Sequence, residues 1–221
     1  MPTVAPIDLD DHCLSVAFLG EVPAFALASG LVVRLDHGTK RHELHDGLLA
    51  ATVTWDGQSL ITGGEDGKVM RLSADGTETT LRPAARKWVG AVAAGPQGAV
   101  AFAEGRQATV LLADGTERSF EEARTIEGLA FAPKGLRIAM ARYNGVSLAF
   151  VQGSAPALDF DWKGAHNQVL FSPDGRFLVT AMQENALHGW KLDGKPGGEQ
   201  RHMRMTGYPA KVKSLSWSNK G

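Results

Sequence analysis

Residues 166–192 read HNQVLFSPDGRFLVTAMQENALHGWKL, three short apolar runs separated by turn-forming residues. The first run, QVLF at 168–171, ends at Ser172-Pro173-Asp174-Gly175, where proline fixes φ and glycine accepts a positive φ. The second, LVTAM at 178–182, leads through a polar turn into ALHGWKLD at 186–193. That third run meets Gly194, and Asp-Gly at such a point is a strong hairpin signal. Runs this short, bounded by turns and without a helical period, predict β-strands.

Working outward, the same pattern recurs along the chain. Gly20, Gly57, Gly98, Gly135, Gly175 and Gly221 each follow a short apolar run, at intervals of about 37 to 46 residues. A second series, Gly38, Gly76, Gly115, Gly153 and Gly194, keeps step at about 38 to 41 residues. The segments at the first series align as SVAFLG, TVTWDG, AVAAGPQG, GLAFAPKG, QVLFSPDG and SLSWSNKG. Two further apolar strands follow in each unit, then a hairpin turn such as SADGTE or LADGTE, then a polar fourth strand such as TETTL or TERSF. Four strands per unit at this period is the blade pattern of an all-β propeller, with the polar fourth strand on the outer rim. The expected units run over about 11–47, 48–86, 87–124, 125–163 and 164–205, with a sixth beginning at 206–221, all in one domain.

These residues resemble the WD-repeat family. The resemblance is strongest at Gly164-Ala165-His166, FSPDGRFLVTA and Gly189-Trp190-Lys191-Leu192-Asp193. In that family a histidine before the first strand, a hydroxyl on the second, an aspartate in the next turn and a tryptophan on the third form a hydrogen-bonded tetrad. The resemblance therefore implies a tetrad-like role for His166, Thr180 and Trp190, with Glu184 at the aspartate position. In the second unit it implies His45, Thr62 and Asp66, with Leu72 replacing the tryptophan, and in the first His12 and Asp36. Arg106 and Asn144 occupy the aspartate position of the third and fourth units, which depart further. Five blades closed by the sixth-unit strand as a clasp are one reading, but family rings of seven blades need about 280 to 300 residues, so five blades and one opening strand imply an incomplete ring. An unpaired apolar blade face would then favour self-association.

Chemistry-bearing motifs are few. His12-Cys13 gives two adjacent ligands and the chain has one cysteine, so neither a disulfide nor a cysteine-rich zinc site is expected. His42-Glu43-Leu44-His45 resembles a zincin motif, but its histidines are three apart rather than four and fall in a rim strand and loop. Asp8, Asp10 and Asp11 lack the glycine and distal glutamate of a calcium loop. No Gly-x-Ser-x-Gly, Walker or dinucleotide motif is present, so no catalytic residue, metal or cofactor is expected.

A net charge of -1 gives no basis for an obligatory nucleic-acid or membrane partner, and no run approaches a bilayer span. The first eighty residues hold 12 acidic against 5 basic residues, whereas Arg201, His202, Arg204, Lys211, Lys213 and Lys220 cluster near the end. A cytoplasmic, non-enzymatic interaction scaffold is the expected function. The fold analogy places its partner-binding face on the turns, at Lys87, Trp88, Arg106, Tyr143, Gln183, Glu184 and Lys211. A propeller hydrolase or lyase with carboxylates in a central channel, and a metal-handling accessory protein, are the alternatives.

Overall fold

The computed structural model describes residues 6–192 and 201–218, which form two compact units divided at Trp88/Val89. Among the described residues every sheet pairing is antiparallel, and the helical content is one short 3-10 turn at Pro96–Gly98.

The first unit holds two four-stranded meanders. One is β1 (Cys13–Leu19), β2 (Val22–Leu27), β3 (Leu31–Leu35) and β4 (Thr39–Glu43). The other is β5 (Leu48–Val53), β6 (Ser59–Gly64), β7 (Val69–Ser73) and β8 (Glu78–Arg82). Leu19, Ala24, Ala26 and Val32 of the first pack against Leu48, Leu60, Met70 and Leu72 of the second. Strand β6 is buried along its whole length, as a strand covered on both faces must be, and SLITGG accordingly carries no charge. Strands β4 and β8 are largely exposed, as their polarity predicts. Two polar links join these sheets: buried Arg34 donates from Nη2 to the Ala74 carbonyl, and His42 Nδ1 lies 2.7 Å from Glu78 Oε1.

The second unit contains a third meander, β9 (Ala91–Ala94), β10 (Val100–Glu104), β11 (Gln107–Leu111) and β12 (Glu117–Glu121). The remaining strands run without a break through the boundary expected between the fourth and fifth units. They form one six-stranded sheet in the order β13 (Ile126–Phe131), β14 (Arg137–Phe150), β15 (Leu158–Phe171), β16 (Phe177–Met182), β17 (Leu187–Lys191) and β18 (His202–Met205). The cause is local. Strand β14 folds back on itself at Asn144-Gly145, whose φ values are +70 and +137, and the Val151 N–H reaches the Leu136 carbonyl. Asn-Gly is the residue pair best suited to so tight a reversal. Gly145 also lies against β15, where a Cβ would stand 2.2 Å from the Phe160 carbonyl oxygen. Strand β15 then pairs with β14 through its first half and with β16 through its second.

A register shift recurs near the start of β1, β5 and β13 and in the second half of β15, one local signature for four of the expected first strands. Residues 206–218 form no strand, contrary to the expected opening strand of a sixth unit, although Val212, Leu215 and Trp217 pack on Val179, Ala181 and Leu187. Asp193, Gly194, Lys220 and Gly221 lie outside the described residues.

Candidate functional site

In the first unit, the Gly30 carbonyl accepts the N–H groups of both Leu44 and His45 and so fixes the segment that enters β5. The His45 ring is thereby placed over Gly64, where a Cβ would lie 2.5 Å from Nδ1. His45 Nδ1 is 3.0 Å from Asp66 Oδ1 and its Nε2 is 2.8 Å from Thr62 Oγ1. A carboxylate can only accept, so Nδ1 carries the proton and Nε2 accepts the Thr62 hydroxyl. Asp66 also accepts the Lys68 N–H at 3.0 Å and meets the Lys68 ammonium at 3.1 Å. Burial alone would raise the Asp66 carboxyl, but the hydrogen bonds from His45 and Lys68 outweigh it and hold the carboxyl below its ordinary range. His45, Thr62 and Asp66 thus meet, with Leu72 buried at the tryptophan position.

The fifth unit is built differently. The N–H of Glu65 bonds the Gly47 carbonyl and that of Gln183 bonds the Ala165 carbonyl, which makes Gly47 and Ala165 equivalent. His166 therefore corresponds to Leu48, and His45 to Lys163. His166 approaches Thr180 from within the strand: Nδ1 accepts the Thr180 hydroxyl at 2.7 Å and Nε2–H donates to the Trp162 carbonyl at 2.9 Å. Glu184 makes no bond to the histidine but accepts the Ala165 N–H at 3.3 Å. In the first unit the His12 carbonyl accepts the Ala28 N–H, which aligns His12 with Gly47 rather than with His45. The His12 side chain is exposed, and Asp36 pairs with Arg34 at 3.4 Å.

Around Trp190 stands a ring cluster that sequence reading did not assemble. The His188 ring stacks on Trp162 at 4.0 Å and 20°, and on His202 at 5.2 Å and 25°, while the edge of Trp190 meets it at 4.6 Å. The signal was the two-residue spacing of His188 and Trp190, which puts both on one face of β17. Stacked rings hold their nitrogen lone pairs in parallel planes, so they do not converge on an ion. Among the described residues no group of three metal-ligating side chains is placed to hold one.

Of the expected partner-binding residues, Lys87 and Trp88 end the first unit, both exposed. In the second unit Arg106 is exposed and pairs with Glu121 at 3.3 Å, and half-buried Lys211 opens the terminal segment. Gln183 and Glu184 sit on an exposed turn, and Tyr143 is exposed in β14 beside its reversal. Tyr143 and Asn144 line an open groove with Asp161, Trp162 and Lys163. Asn144 Oδ1 accepts the Gly164 N–H at 3.3 Å, and the Glu184 carboxylate lies 3.0 Å from where a Gly164 Cβ would stand. Tyr143, Trp162, Lys163 and Glu184 therefore gather around Gly164.

No protein-family model matches the sequence, and no curated protein matches it. Among solved structures the chain is similar to one from a crystal structure of a mitotic checkpoint complex, at 20% identity and a TM-score of 0.65. The match covers 80% of this chain and 61% of that one. With the four-stranded antiparallel sheets, this likeness makes the fold propeller-like. In all, 1294 solved chains match, a breadth at which fold alone fixes no function. Among the described residues no helix is long and apolar enough to cross a membrane.

Proposed function

We propose that this chain is a WD-repeat-like propeller protein that acts in the cytoplasm as a non-enzymatic interaction module and binds a protein or peptide on its turn side. The observation that carries this reading is the groove at Tyr143. An exposed phenol and a half-buried indole offer apolar contact of low entropic cost, and Asp161, Lys163 and Glu184 offer charges of both signs at the margin. Such a mixture suits an extended peptide carrying a basic and an acidic residue around an apolar one. Arg106, Gln183 and Lys211 extend the turn side of the second unit, and Lys87 and Trp88 that of the first.

The reading is tested with peptides selected from a display library on the whole chain. Selected peptides are expected to lose at least about tenfold in affinity to Tyr143→Ala, which is about 1.4 kcal/mol. They should keep their affinity for Trp55→Ala, an exposed tryptophan in the first unit. Circular dichroism should be unchanged in both variants. Peptides that bind Tyr143→Ala as tightly as the parent chain would sink this assignment.

A further inference from the structure

We propose that the outer face of the first sheet is a self-association surface, on which a second copy of this chain packs face to face. Hairpin register carries the argument. In four of the five units the residue facing the start of the second strand is Leu19 opposite Val22, Thr54 bonded to Ser59, Ala132 bonded to Arg137 and Ser172 bonded to Phe177. Counting back from these, Val16 and Phe18 hold the positions of Ala51 and Val53, of Leu129 and Phe131, and of Val169 and Phe171.

Those counterparts are covered. Ala51 and Val53 pack against the core shared with the first sheet. Leu129 and Phe131 are 9% and 5% exposed, packed with the alanines of β9 and β10; Val169 and Phe171 are 7% and 6% exposed, packed on Val146, Leu148 and Phe160. Val16 and Phe18 are 60% and 62% exposed. Pro23 and Phe25 pair with them across β2, extending the apolar face. Val16 and Phe18 therefore stand exposed at positions that the other units cover.

The occupant follows from charge and from what the chain already fills. Neither β1 nor β2 contains a charged residue, and β4 adds one exposed cation and one exposed anion to the same face, Arg41 and Glu43, which are complementary between two copies, so two such faces can meet without net repulsion. The apolar surface of Val179, Ala181 and Leu187 is taken by the chain's own Val212, Leu215 and Trp217. A head-to-tail contact onto that surface is thus blocked, which leaves the two-fold, like-with-like arrangement that closes on itself. One sheet face is small beside the roughly 800 Å² per partner of a stable complex, so the dimer should form with a Kd on the order of 10 μM.

Light scattering and sedimentation of the whole chain from about 1 to 200 μM should show the mass rising from one chain to two. Phe18→Glu and Val16→Glu should each weaken the dimer at least about tenfold, while Tyr143→Ala leaves it unchanged, which separates this surface from the peptide groove. A constant single-chain mass overturns the proposal. So does a dimer indifferent to both glutamate variants, or growth beyond two copies. If a glutamate variant loses its circular dichroism, hydrogen exchange of the parent chain decides instead. Amides of 13–27 must gain protection as concentration rises, and no gain there overturns the surface.

Discussion

His45→Ala is expected to destabilise the first unit by about 3 kcal/mol, read as a lowered midpoint in urea unfolding followed by Trp55 fluorescence. The ring is buried and uses both nitrogens, so its removal does three things at once. It opens a cavity over Gly64, strips the Thr62 hydroxyl of its acceptor and takes from Asp66 the hydrogen bond that helps offset its burial. Each orphaned buried group costs about 1–3 kcal/mol, partly relieved because Asp66 keeps Lys68. Thr62→Val alone should cost less, and the double variant less than the sum, since the second change removes a group already unpaired. His12→Ala should be within about 0.5 kcal/mol of neutral, because that side chain is exposed and sits two positions out of register with His45. Equal costs at His12 and His45 would show that the register assignment is wrong.

That contrast marks how far the sequence was readable. Strand positions and hairpins follow from two-residue alternation and from Asp-Gly turns, which act locally. Asp75 and Asp114 each accept the N–H two residues on, as their turn chemistry requires. Residue spacing alone could not show that His166 lies on a strand while His45 lies before one. Both precede an apolar run, and only the Gly47 and Ala165 carbonyl bonds separate the two cases. The reversal inside β14 was visible, since Asn144-Gly145 announces it, but the continuity of β15 through Gly164 depends on its pairing with β14 along one half and β16 along the other. The His188 stack was hidden for a similar reason: Trp162, His188 and His202 come from three strands and share no sequence period.

That stack gives the second large expected effect, a loss of about 2–3 kcal/mol of stability between pH 6.5 and 4. His188 is fully buried and neither ring nitrogen has a hydrogen-bond partner among the described residues. Burial pushes its pKa down to about 4, and the nearby charges of His202, His166 and Arg204 act in the same direction. In the unfolded chain the same imidazole titrates near 6.5. Between those values the unfolded state binds a proton that the native state refuses, so stability is complete above about pH 6.5 and falls as the solution is acidified. His166, also lowered mainly by burial, adds in the same sense. The aspartates whose pKa is depressed, Asp66 and Asp174 among them, contribute stability that is lost only below their ordinary value near 3.8, so their acid loss falls outside this window. His188→Phe keeps a flat ring against Trp162 and His202 and removes the titration. Urea midpoints at pH 7.5 and 4.5 should therefore differ by less than half as much in His188→Phe as in the parent chain. Hydrogen exchange should place the parent's acid loss in β17 and β18 before it reaches the first unit. An undiminished pH effect in His188→Phe would mean that the acid sensitivity comes from elsewhere, with His166 the next group to replace.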